Sequence, residues 1–201
     1  MNNFHIIMAF NRPHMVDIYT EFFWPHNIVL HPIMRDNIVD WPNENWIKPI
    51  TAPAVAEGTV DLLYTKCNYF IETQPINDED YYMFLCDDDS IEDNVIPAIK
   101  EMNDDVIFIS MKRGYHIDYS RDPLSWHGTN TLYARPECVK VCNIGLEQFI
   151  VKGKILKEIR FRDHNWADGY MCEYLKEHYS VSYREDLFSL FNFYETVRWT
   201  E

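Results

Sequence analysis

The chain has 201 residues, 47% of them apolar and 25% charged, the proportions of a globular domain with a full core. A formal net charge of −14, with no Lys/Arg cluster to offset it, repels a nucleic-acid backbone and excludes nucleic acid as the expected partner. Glycine is scarce at 6 residues, neither G-x-G-x-x-G nor G-x-x-x-x-G-K-[ST] occurs, and no apolar stretch reaches membrane-spanning length.

Residues 4–10 (FHIIMAF) form a nearly continuous apolar run, the pattern of a buried parallel strand, so the start of the chain reads as a strand rather than a signal peptide. Asn11, Arg12 and Pro13 break the run, and Pro13 suits a first helical turn. Met15, Ile18, Tyr19, Phe22 and Phe23 then recur at helical spacing, Trp24-Pro25 ends that helix, and residues 27–33 read as a second strand. Residues 36–53 lack a period and are expected to be a structured loop. Residues 61–69 (DLLYTKCNY) are expected to be a third strand, and residues 81–86 (YYMFLC) are the strongest strand of the chain.

Beyond the acidic triplet at 87–89, Ser90 and Asp93 resemble a capping box opening a helix with Val95, Ile96, Ile99 and Met102 on its apolar face. Residues 106–111 (VIFISM) are another buried strand. The polar and aromatic stretch 112–130 holds Lys112, Arg113, His116, Arg121, Trp126 and His127 and is long enough to be a functional loop. A short strand over 131–135, a short helix over 136–142 and a helix over 167–178 follow. The last of these carries Tyr170, Met171, Tyr174, Leu175 and His178 on one side, and a tail helix repeats the pattern from Leu187 to Val197. Alternating strands and helices imply an α/β layered fold. Five cysteines, Cys67, Cys86, Cys138, Cys142 and Cys172, are odd in number and lack zinc spacing; free thiols in a reducing, cytoplasmic setting are the expectation.

Asp87-Asp88-Asp89 carries the chemistry. Three carboxylates at the end of a buried strand repel one another, and folding alone does not call for them there. Carboxylate oxygens are ligands for Mg²⁺ and Mn²⁺, and ligands of open α/β sheets sit beyond the carboxyl ends of the strands. The plainer reading is a solvated turn that caps the next helix; the apolar run YYMFLC just before it favours the metal.

A strand ending in an aspartate triplet, after an N-terminal β-α-β unit, resembles the metal-binding turn of GT-A fold glycosyltransferases. Residues 9–19 (AFNRPHMVDIY) are similar to the opening strand-turn-helix of the family-2 type, and GTNTLYAR (128–135) with ADGYMCEYLKEH (167–178) resembles the acceptor-side half. Two departures stand out: a lone Asp168 follows Ala167 where the family has an acidic pair, and Glu195-Thr196-Val197-Arg198-Trp199 only approaches the Gln-x-x-Arg-Trp motif of polysaccharide synthases.

The resemblance implies one α/β, Rossmann-like, three-layer domain with a mostly parallel central sheet over residues 1–201. Residues up to about 111 would form the nucleotide-sugar and metal half, and those from about 112 the acceptor half. It implies Mn²⁺ or Mg²⁺ on Asp87 and Asp89, with Asp88 a direct or neighbouring partner, and a nucleotide-sugar donor, UDP-sugar favoured, beside Phe10, Asn11 and Arg12. A glycan or other hydroxyl acceptor would be deprotonated by Asp168 with inversion. Lys112, Arg113, Arg121 and His127 would fold over the diphosphate, and Trp126 would stack on a sugar. Taken alone, Asn11 also reads as a helix cap, Arg12 as a solvated charge and Asp168 as a carboxylate favoured in a first helical turn. Two rival functions remain: a non-catalytic nucleotide-sugar or glycan binder, and a sugar-phosphate nucleotidyltransferase, for which the basic, Gly-rich N-terminal loop is missing.

Overall fold

The computed structural model describes residues 2–35, 40–53, 62–114 and 128–191. In chain order these give β1 (Phe4–Ala9), α1 (Val16–Phe23), β2 (Val29–Met34), β3 (Ile50–Thr51), α2 (Leu62–Thr73), β4 (Tyr81–Cys86), β5 (Ser90–Ile91) and α3 (Val95–Lys100). There follow β6 (Val106–Gly114), β7 (Gly128–Leu132), β8 (Phe149–Lys152), α4 (Gly153–Leu156), α5 (Ala167–His178) and β9 (Val181–Phe191). All nine strands join one sheet in the order β3-β2-β1-β4-β8-β6-β9-β5, with β7 on β6. Strands β1, β2, β3, β4, β6 and β9 run one way, and β5, β7 and β8 the other. The sheet is mostly parallel.

Strand alternation divides the core between its two faces. Phe4, Ile6 and Met8 of β1, Tyr81, Met83 and Leu85 of β4, and Ile107 and Ile109 of β6 meet Met15, Val16, Tyr19 and Phe23 at α1 and Val95, Ile96 and Ile99 of α3. The intervening Ile7, Tyr82, Phe84, Val106 and Phe108 meet Tyr64, Cys67, Phe70 and Ile71 of α2 and Ala167, Met171, Cys172 and Leu175 of α5. Each such side chain contributes about 1.5–3 kcal/mol by leaving water. Helices on both faces of one sheet make three layers. All five cysteines are free thiols.

Several expectations change. Residues 62–73 are helix α2, not a strand: Tyr64, Cys67, Phe70 and Ile71 form its buried stripe, and a strand reading that stops at Tyr69 truncates it. Ser90 does not cap α3. It lies in β5 opposite Leu190, and Asn94 at the N-cap makes no side-chain bond. Residues 136–142 are turns held by Cys138 N–H to Arg135 O (2.9 Å), with Cys142 left-handed at φ 68°, a conformation no helix continues through. Leu187 to Phe191 belong to strand β9, because helical spacing in so short a run also fits a strand, and β6 supplies the hydrogen bonds. Tyr194, Val197 and the Arg198-Trp199 pair lie outside the described residues. On α5 the core side is Ala167, Met171, Cys172 and Leu175, and Tyr174 is exposed. Strand β8, unmarked in the sequence reading, slots between β4 and β6.

A buried polar chain crosses the opposite end of the sheet. His5 Nε2 lies 3.2 Å from Asp80 Oδ2, and His5 Nδ1 lies 2.9 Å from His31 Nε2. Donation from His5 to the carboxylate makes Nδ1 the acceptor for His31, whose own Nδ1 is buried with no partner among the described residues. Burial, then the neighbouring His5 and Lys48, pushes His31 down to about 3; burial also lowers His5 against the pull of Asp80. Both rings fold neutral, so the unfolded chain takes up more protons once the pH drops below about 6.5, and stability falls from there towards pH 3. For His31 alone the loss at pH 5 is about 2 kcal/mol. Compared in urea at pH 7 and at pH 5, the wild type should therefore lose about that much stability relative to His31→Gln, a difference in which the other titrating groups cancel.

Candidate active site at the acidic turn

Strands β1 and β4 are parallel neighbours, with Ala9 opposite Cys86 at their carboxyl ends. The chain leaves β1 towards β2 and β3 on one side and returns to β4 on the other, so their carboxyl ends flank a crevice where the strand order reverses. The turn after each strand enters it: Phe10-Asn11-Arg12 from β1, Asp87-Asp88-Asp89 from β4.

All three aspartates are buried, at 2%, 8% and 0% exposure. Asn11 N–H donates to Asp87 Oδ2 at 2.5 Å. The Arg12 guanidinium donates one N–H to Asp87 Oδ1 and another to Asp88 Oδ2, the latter at 3.1 Å. Asp89 folds back: its Oδ2 accepts Cys86 N–H at 3.2 Å, and its carbonyl accepts the Tyr19 hydroxyl at 2.9 Å. Lys66 of α2, itself buried, donates to Phe10 O (3.2 Å) and Asn11 Oδ1 (2.6 Å). Burial lowers the Lys66 pKa, and Asp87 pulls it back. A cavity of about 360 Å³ opens here, lined by Asn11, Arg12, Arg35, Lys66, Asp87 and Asp88 among others.

The structure thus brings Asn11, Arg12, Asp87, Asp88 and Asp89 together. Phe10 is different: its ring is fully buried edge-on to Trp41 (4.8 Å, 66°), and only its carbonyl takes part, through Lys66. Asn11 caps no helix, and Arg12 is ion-paired. Of the expected lid, Lys112 pairs with Glu92 and Arg113 lies 5.1 Å over the Phe191 ring, both within β6. His116, Arg121, Trp126 and His127 lie outside the described residues.

Cys86, Asp88 and Asp89 each offer a ligand atom, all within 4.8 Å of one another, so the turn could hold a metal. The donor chemistry fits a hard cation through the two carboxylates. Thiolate sulfur is the softer ligand of the three, and burial, reinforced by Asp89, Glu147 and Asp88, pushes the Cys86 thiol pKa up.

Asp168 sits in the first turn of α5, with its Oδ1 accepting Gly169 N–H at 2.7 Å. Between it and the acidic turn lies a group the sequence did not flag. Glu147, in the 3-10 turn Leu146–Gln148, is 3% exposed, and its Oε1 has no hydrogen-bond partner among the described residues. Burial above all, with Asp168 and Asp88 adding to it against Arg113, raises its carboxyl to about 7. Lys66 was hidden by the misread helix and Glu147 by the unmarked β8 behind it; neither lies in a motif.

No protein-family model matches this sequence, nor does any curated protein. Among solved structures, a fragment of S. aureus TarS spanning its residues 1–349 matches with a TM-score of 0.56 at 14% identity, covering 98% of this chain and 63% of that one. A second TarS structure gives 0.56 at 15% identity, over 98% of this chain and 38% of that one. TarS has a GT-A fold. This chain has a GT-A fold. It spans under two thirds of the TarS fragment's length. In that GT-A frame the crevice between β1 and β4 is where two sequence-distant turns, one cationic through Arg12 and one acidic, face each other. No helix among the described residues is long and apolar enough to cross a membrane.

Proposed function

We propose that the chain is a metal-dependent glycosyltransferase that moves a sugar from a nucleotide-diphosphate donor to an acceptor hydroxyl with inversion. The carrying observation is the buried aspartate turn at the reversal point of the sheet, beside a cavity lined by Arg12, Arg35 and Lys66. These cations are what a nucleotide diphosphate needs in a protein of net charge −14. Asp88 and Asp89 would hold the cation, whereas Asp87, expected from the sequence as a ligand, has both oxygens taken by Asn11 and Arg12 and ties the turn of β4 to that of β1. When bound, Mn²⁺ or Mg²⁺ supplies Lewis-acid neutralisation of the departing diphosphate. Arg12 is placed to move from the aspartates to phosphate oxygens. Asp168 takes the proton of the acceptor hydroxyl.

Thermal unfolding with UDP-, GDP- and CDP-sugars, with and without Mn²⁺, tests this reading. One donor, UDP-sugar first, should raise the melting temperature only with Mn²⁺; at 100 times Kd the gain is about 2.7 kcal/mol. Asp89→Ala should abolish it. Absence of any metal-dependent shift across the panel would sink the assignment.

A further inference from the structure

A second cavity, about 200 Å³, lies along the outer side of α5 and is bounded by the segment that follows α4. Its floor is apolar: Ile159, Ala167 and Met171. Its rim is aromatic and cationic. Tyr170 and Tyr174 project from α5, and Arg160 and Arg162 face them from the opposite wall. Trp166, just before α5, is 51% exposed and Tyr174 is 42% exposed; among the described residues these are two of the large apolar side chains that the fold leaves in water.

Each rim group is held in place by contacts that leave ligand-binding capacity. The Arg162 guanidinium lies over the Tyr170 ring, 5.3 Å from its centroid, and makes no ion pair among the described residues. A guanidinium held over a ring can still offer N–H groups to an oxyanion. Arg160 donates to the carbonyls of Lys157 and Ile159, and touches Glu72 only at 3.4 Å. The acid in the wall, Glu158, already accepts the Tyr179 hydroxyl at 2.8 Å. The wall is itself rigid, because Asn68 of α2 clamps Phe161 by two bonds of 2.8 Å.

An arginine without an acid is out of keeping with a chain of charge −14, and it creates a local anion site where the wider field is repulsive. Tyr174 stacks on His178 through one face (4.2 Å, 24°) and keeps the other for the C–H face of a sugar ring, and the volume suits one ring rather than a larger ligand. Asp168, the proposed base, follows Ala167 of the floor in sequence, so the cavity and the base share the first turn of α5.

We propose that this cavity is a subsite for an anionic sugar, one bearing a phosphate or carboxylate, belonging to the acceptor and held away from its reacting hydroxyl. The acceptor part of this proposal rests on the glycosyltransferase reading; binding by the cavity does not need donor or metal, so the two are separately testable. Two-dimensional NMR of the full chain, titrated without metal with glucose 6-phosphate, glucuronic acid, glucose and inorganic phosphate, reads it directly. The Trp166 indole and the Ala167 and Met171 methyl signals should move with one of the two anionic sugars, and which one identifies the anion. Glucose and phosphate should each bind at least about tenfold more weakly, since each offers half of the contacts. Arg162→Gln and Tyr174→Ala, both on the surface and so compatible with folding, should each weaken the anionic sugar by about tenfold. Equal binding of glucose 6-phosphate and inorganic phosphate, unchanged affinity in both variants, or shifts confined to the acidic turn would each overturn the proposal. A metal-dependent donor shift in the wild-type melt alongside a silent cavity would refute the subsite and leave the transferase reading standing.

Discussion

Glu147→Gln should stabilise the protein above neutral pH relative to the wild type, and the advantage should vanish in mild acid. The carboxyl is buried with an orphan oxygen, and its pKa rises from 4.5 to about 7 on folding. A raised carboxylate favours the folded state below its unfolded pKa and opposes it as the pH climbs through the folded one. Between pH 4.5 and pH 8 the wild type therefore loses about 3 kcal/mol that the amide variant keeps. The buried amide has its own unsatisfied groups, a cost that does not change with pH; the quantity to follow is the difference between the two proteins as a function of pH. In melting temperature the relative gain at pH 8 is on the order of 5–10 °C for a chain of this size. Parallel pH profiles for the two proteins would show that Glu147 is solvated or paired. The effect also runs against the histidine chain, since His5 and His31 lose stability as the pH falls through the range where Glu147 regains it. The two slopes partly cancel in the wild type between pH 4.5 and 6.5, so a flat profile there hides two steep ones, and the variant exposes the histidine limb.

A buried acid that weakens its own fold near neutrality, beside a cleft, is a candidate functional group. Glu147 sits where its charge is felt by Asp168 and Asp88 and by the thiols of Cys86 and Cys172, which couples the acidic turn to the first turn of α5 electrostatically.

What the sequence made legible follows from where the physics is local. β1, β4 and β6 are buried on both faces, so each reads as an apolar run, and α1 is punctuated by Pro13 and Trp24-Pro25. The aspartate turn was visible because carboxylates after such a run are costly. Less visible were segments whose pattern suits two structures. α2 shows its stripe only if Phe70 and Ile71 are counted with Tyr64 and Cys67, and β9 carries helical spacing by coincidence until β6 pairs with it. Lys66 and Glu147 were beyond a linear reading for a different reason. A lone Lys on a helix and a lone Glu in a turn have the look of solvated charges, and only the packing of α2 on β1 and of the Leu146–Gln148 turn beneath β4 and β6 buries them. The assignment of Phe10 failed halfway for a related cause: alternation along β1 sends its ring to the Trp41 side, away from the cavity.

The strongest functional effect is expected at Asp88 and Asp89, where Asn substitution of either should lower the turnover of sugar transfer by at least about 100-fold. Asn is the informative replacement. In Asp89→Asn the amide oxygen can still accept Cys86 N–H, so the turn that Tyr19 and Cys86 hold stays closed and only the charge is gone. Loss of activity with an unchanged melting temperature then isolates the electrostatic role. Mn²⁺ binding followed by electron paramagnetic resonance should weaken in the same two variants, by about 100-fold or more for removal of a hard ligand. The thiol makes the opposite prediction. Its proton is held by burial, so Cys86→Ser should shift Mn²⁺ affinity by less than about tenfold, and Cd²⁺ should gain no advantage over Mn²⁺. If instead Cys86→Ser abolished metal binding and Cd²⁺ bound far more tightly, the site would be a soft one built on the thiolate. Such a site is unsuited to gripping a diphosphate through Mg²⁺ or Mn²⁺, and the role given to Asp88 and Asp89 would fall with it.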